Sequence, residues 1–207
     1  MSRLMVAAVA AILATTACAA DGEGAAKGKT AADVCGGFAK DASPLAALTA
    51  IAGEGGLTDD RSKPDETLET LREADGKLTT QELATGSPFC RLRNASDGES
   101  VFDITFREAL VVPGTRDRAT FHYFSTGADA LSSDRYAQIM FPCRMEEPAK
   151  DIIVSAELER PGESDASTAN IPGLQVTVLN AAARSVATAL GCGDPKLVDG
   201  VPAEERS

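Results

Sequence analysis

The chain has 207 residues, five cysteines, one histidine, no tryptophan, and 20 Lys+Arg against 31 Asp+Glu for a net charge of −11. A surface this acidic repels phosphate backbones and anionic headgroups, which argues against non-specific nucleic-acid binding and against an electrostatically held membrane association. One histidine excludes a multi-histidine metal site.

The N-terminus reads as an export signal over residues 1–19. Arg3 is the only charge before the apolar run 4–14. A run of about ten residues is too short to cross a bilayer as a helix and suits a signal h-region. Two cleavages compete at its end. Ala17-Cys18-Ala19 is an A-x-A site that would release a soluble, secreted chain beginning at Ala20. The segment Leu13-Ala14-Thr15-Thr16-Ala17-Cys18 also resembles a bacterial lipobox, with Thr15 where leucine is usual. Cleavage before Cys18 would then leave that cysteine lipidated as the first residue. The lipid-anchored form, on the extracellular face of the cell membrane, is the favoured one. Loss of the signal leaves 19 basic against 31 acidic residues, a net −12, on about 190 residues, which suits one domain.

Residues 20–29 are small and polar and read as a flexible tether. The single domain is expected over 30–195. Thr30 can cap a short helix holding Val34, Cys35 and Phe38, weakened by Gly36-Gly37. Ser43 as cap and Pro44 at the first position start a second helix that Gly53 ends. The loop 53–62 follows. Asp65 can cap a third helix, with Leu68, Leu71 and Ala74 inward and Gly76 as stop. Seven acids lie between Asp59 and Asp75, and a solvated face explains them better than a cation site.

From Pro88 the period changes to two. Cys90 and Leu92 alternate with Arg91 and Arg93. Phe102, Ile104 and Phe106 alternate with Asp103, Thr105 and Arg107. After a turn at Pro113-Gly114-Thr115, residues 119–125 read as a third strand and 127–134 as a loop. Ala137, Ile139, Phe141 and Cys143 line a fourth strand; Ile152, Val154, Ala156 and Leu158 line a fifth. This pattern predicts an antiparallel sheet of about five strands with one wet face. After a polar loop, 161–169, Pro172 opens a last helix that runs to Gly191. Its stripe Leu179, Ala183, Val186 and Leu190 packs on the sheet. Residues 196–207 read as a loose tail. The fold class is therefore α+β, with N-terminal helices and a C-terminal helix on the sheet.

Either cleavage removes Cys18 from the disulfide count. Cys35, Cys90, Cys143 and Cys192 remain, an even number at wide spacing, and two disulfides are expected. Four cysteines allow three connectivities, which sequence does not choose between. The frame favours Cys35–Cys90 and Cys143–Cys192, each joining a helix cysteine to a strand cysteine. Close C-x-x-C spacing, needed for a redox or metal site, does not occur.

Catalytic motifs are lacking. The chain has no G-x-S-x-G, S-x-x-K, Walker loop, G-x-G-x-x-G or H-E-x-x-H, and His122 is the sole histidine base. No catalytic residue, metal site or cofactor is assigned. Arg91, Arg93, Arg107 and His122, with Asp103, Thr105 and Gln138, are expected on the wet face, where a basic patch could receive an anion. Ordinary cross-strand Arg–Asp pairing is the better explanation of those charges.

The export signal with its lipobox, Val34-Cys35-Gly36-Gly37, Cys90, residues 136–143 (YAQIMFPC) and the closing Leu190-Gly191-Cys192 together resemble actinobacterial surface lipoproteins. The resemblance implies a secreted α+β domain with two disulfides and transfers no functional residue. The reading is a monomeric, non-enzymatic binding or accessory module for an envelope component or small ligand, touching the membrane only through its lipid. An envelope hydrolase built on acidic residues would instead show a deep pocket holding a perturbed carboxylate or histidine. A purely structural envelope lipoprotein would show a flat apolar patch.

Overall fold

The computed structural model describes residues 28–77, 85–110, 117, 119–147, 149–161 and 170–206. The expected signal peptide with Cys18, the turn at Pro113-Gly114-Thr115 and most of the loop 161–169 lie outside the described residues.

Among the described residues the sheet has seven strands, all antiparallel, in the order β1-β2-β3-β7-β6-β5-β4. They are β1 (Leu57–Thr58), β2 (Ser87–Asn94), β3 (Ser100–Ala109), β4 (His122–Tyr123), β5 (Asp129–Ser132), β6 (Tyr136–Glu146) and β7 (Ala149–Glu159). After β3 the chain crosses to the far edge, and β4 to β7 walk back until β7 pairs with β3. The long strands alternate as their sequences demand. Ile104, Leu158 and Ala137 share one row across the sheet; Phe106, Ala156, Ile139 and Ala130 share the next. All of these are buried. The intervening residues form the other, wetter face, because successive side chains in a strand point to opposite sides.

The helices cover one face. α1 (Ala42–Ala52) packs on α3 (Ile171–Leu190), α3 crosses β5, β6 and β7, and α2 (Pro64–Glu73) lies on β2 and β3. Fourteen of the twenty residues of α3 are buried, so it is enclosed by more than the sheet. Leu179, Ala183, Val186 and Leu190 are among them. Asn170 caps its start, its side chain accepting from the Gly173 N–H. Gly191 closes it at φ 69°, a left-handed position that glycine takes without a Cβ clash. Gln175, fully buried, donates to the carbonyls of Ser133 and Asp134 at 3.0 and 2.9 Å and fixes α3 against the β5–β6 turn.

Two disulfides join helix layer to sheet: Cys35 to Cys90, and Cys143 to Cys192. They span 55 and 49 residues, and constraining loops of that size is worth about 4 kcal/mol each by chain entropy. Phe38, Phe89 and Phe106 meet edge to face, with centroids 5.9 and 5.2 Å apart. They tie the N-terminal turn to β2 and β3, each contact adding about 1 kcal/mol beyond burial.

Several local expectations are corrected. The sheet has two strands more than expected because β1 lies inside the loop 53–62 and β5 inside the loop 127–134. Both are short and gain their order from a neighbour. The expected strand 119–125 reduces to the two residues of β4, and Tyr123 and Phe124 are both buried, so the alternation fails there. The first helix is a single 3₁₀ turn, Val34–Gly37, in which Cys35 and Gly36 are left-handed. The Cys35 N–H donates to the Asp59 carboxylate, and Lys29 Nζ holds that carboxylate from the other side at 2.6 Å. Helix α1 begins after Asp41 rather than Ser43, and α2 begins with Pro64 after Lys63 rather than after an Asp65 cap.

Both ends of the described residues are built into the sheet edges. Lys29, expected in the tether, exchanges backbone bonds with Leu57 of β1 at 2.7 and 3.0 Å. The expected loose tail is a strap, residues 193–206. Gly193 N–H bonds Arg144 O, Ser125 N–H bonds Ala203 O, and Glu205 N–H bonds Tyr123 O, at 2.8, 2.9 and 2.8 Å. A buried latch holds its middle. Asn180 accepts from the Thr126 hydroxyl at 2.7 Å and donates to Val198 O at 2.8 Å, while Val198 N–H reaches the same hydroxyl at 3.2 Å.

Candidate functional site

Of the four residues expected on one basic face, His122 is set apart by the strand order and Arg93 follows a register shift in β2 after Leu92. Arg91 and Arg107, from β2 and β3, line a groove of about 480 Å³ on the wet face of the sheet, with Asp103, Thr105, Glu157 and Glu159. Arg93 lies outside that lining and donates to Gly98 O at 2.7 Å. His122 is on β4, at the opposite edge. The sequence carries the alternation of each strand but not its neighbours, and the expected common face fails on that point.

Inside the groove the charges answer one another. Arg107 donates Nε and Nη2 to Glu157 Oε1 at 3.0 and 2.6 Å. The same oxygen receives Gln138 Nε2 at 3.2 Å and Ser155 Oγ at 3.0 Å. Arg91 Nε stands 3.9 Å from Asp103. Burial, then the Glu157 charge, pushes the neighbouring Tyr136 phenol up. An anion entering beside Arg107 would displace a carboxylate already paired with its guanidinium. Cross-strand pairing accounts for Arg107, while Arg91 Nε is buried without a hydrogen-bond partner.

A second concavity has the opposite character. Helix α1, the first turns of α3 and the C-terminal strap enclose a cleft of about 410 Å³. Ala46, Ala47, Phe124, Leu174, Val201 and Pro202 make it mainly apolar. Ala46 is exposed, and Val201 at 61% is one of two exposed large hydrophobics among the described residues. The polar lining is sparse and mostly committed. The Asn170 amide oxygen accepts from Gly173 N–H at 3.2 Å, and the Thr177 hydroxyl donates to Gly173 O at 2.8 Å. Glu204 brings a carboxylate to the lining, with its Oε1 2.7 Å from His122 Nδ1. His122 thus belongs to the periphery of this cleft, through Glu204, and not to the arginine groove.

No family model, curated protein or solved structure matches this chain.

An apolar concavity of a few hundred cubic ångströms with few polar groups is the usual form of a small-ligand site. Sequence alone does not show it, because its walls come from segments far apart in the chain and the strap has no periodicity of its own. The available signal was the apolar residues of the tail, among them the pair Val201-Pro202. Reading that pair as a packing element would have placed the tail against the domain.

Proposed function

We propose that the chain is an exported, lipid-anchored binding module that takes a small, apolar-bodied ligand in the cleft between α1, α3 and the strap. The cleft itself carries this reading: a concave apolar surface left open beside a fully formed core. The export signal, the lipobox-like segment ending at Cys18 and the two disulfides support the extracellular setting, since such bridges persist in oxidising compartments. The resemblance to actinobacterial surface lipoproteins supports the same placement. On this reading the arginine groove is a structural feature of the sheet.

Titration of the isotopically labelled domain with octan-1-ol, followed by amide and methyl NMR, tests the proposal. Saturable shifts confined to Ala46, Ala47, Leu174 and Val201 are expected. Ala46→Trp, which fills the cleft from an exposed position, removes them without altering the fold. Absence of saturable shifts at these residues overturns the reading, as does binding that survives Ala46→Trp.

A further inference from the structure

We infer that the ligand of the cleft carries a positively charged amine head, held by Glu204. The inference rests on the cleft being the binding site and adds the chemical class of the ligand. Among the described residues, Glu204 is the one charged side chain lining this cavity. The first turns of α1 and α3, which converge there, contain no acidic residue. Thr177 and the oxygen of Asn170 already serve Gly173, and the Ser43 hydroxyl and the Asn170 amide nitrogen are neutral, which leaves Glu204, its Oε1 held by His122, as the charged recognition group of the lining.

That carboxylate is positioned, not swinging. Glu204 pairs with Phe124 in an antiparallel bridge, and the backbone bonds on either side, Ser125 to Ala203 and Glu205 to Tyr123, fix the residue in register. His122 Nδ1 holds Oε1 at 2.7 Å. A carboxylate offers about four lone-pair directions, so an ammonium can be received beside the imidazole. The apolar wall formed by Phe124, Leu174 and Val201 then accepts an alkyl or aryl body. The chain's net charge of −11 favours the approach of cations and disfavours a carboxylate-headed amphiphile of the same shape.

Three probes of equal chain length test this: octylammonium chloride, octan-1-ol and sodium octanoate, titrated by NMR with shifts read at the cleft residues. Octylammonium should bind about five- to tenfold more tightly than octan-1-ol, the worth of one charge-assisted contact at a half-exposed site. Octanoate should bind more weakly than the alcohol. Glu204→Gln should bring octylammonium down to the level of octan-1-ol while leaving the alcohol unchanged. Should that variant unfold, salt gives the second readout in the wild type: added NaCl weakens the ammonium and leaves the alcohol alone. An ammonium that binds no better than the alcohol, or a preference that survives both Glu204→Gln and high salt, overturns the inference while the cleft stands as a site. Failure of all three probes at the cleft removes the underlying reading as well.

Discussion

Glu108 continues the inward row of β3 after Phe102, Ile104 and Phe106, and faces Val154 across the sheet at 9% exposure. Burial pushes its carboxyl above the ordinary glutamate range, and the Asp75 charge adds to that; the Gly76 N–H and Lys150 pull it back. A carboxyl with a raised folded-state pKa binds its proton more tightly in the fold than in the unfolded chain. Its contribution to stability is present below the ordinary value near 4.5 and declines as pH rises through the folded value. Glu108→Gln should therefore flatten the loss of stability on the neutral side and stabilise the protein at pH 7 by on the order of 1 kcal/mol. Urea unfolding from pH 4 to 8 checks it, and equal slopes with pH in both proteins would defeat the account. This residue was legible in principle, since two-residue periodicity carried one step past Phe106 puts it inward. The Glu204–His122 pair was not: the two lie 82 positions apart and meet only because the strap returns to β4.

At the scale of elements, the readable parts were those that carry their own periodicity. The alternating rows of β3, β6 and β7 and the stripe of α3 hold their pattern over several turns or pleats. Strands β1, β4 and β5 and the strap do not, because their order is supplied by neighbours. Asp129–Ser132 has neither β-branched nor aromatic residues, and only pairing with β6 makes it a strand. The two disulfides should separate along the same line. Cys35→Ala/Cys90→Ala and Cys143→Ala/Cys192→Ala should each cost about 4 kcal/mol in global stability. Only the second pair starts the strap, so only its loss should speed hydrogen exchange at the Val198, Ser125 and Glu205 amides in the native state. Equal local effects from both variants would show that the Asn180–Thr126 latch holds the strap unaided.

For the whole molecule, the even number of cysteines beyond Cys18 matches the two staples of the domain and carries nothing of the identity of a ligand. The acids between Asp59 and Asp75 prove mixed in role. Asp59 is a buried anchor for the N-terminal turn, with 8% of its side chain exposed, while Glu66, Glu69 and Glu73 face solvent. Mass spectrometry of the mature protein from its native membrane fraction should find a diacylglyceryl group on an N-terminal Cys18. An unmodified chain beginning at Ala20 would make it a secreted protein. The seating of Lys29 and of the strap has a spatial meaning. Lys29 enters at the β1 edge and Glu204 lies beyond β4, the other edge of a seven-stranded sheet. Six strand spacings separate these edges by roughly 30 Å. A partner gripping the chain at Lys29 would stand at one edge of the sheet and leave the cleft, near the other, open to its ligand.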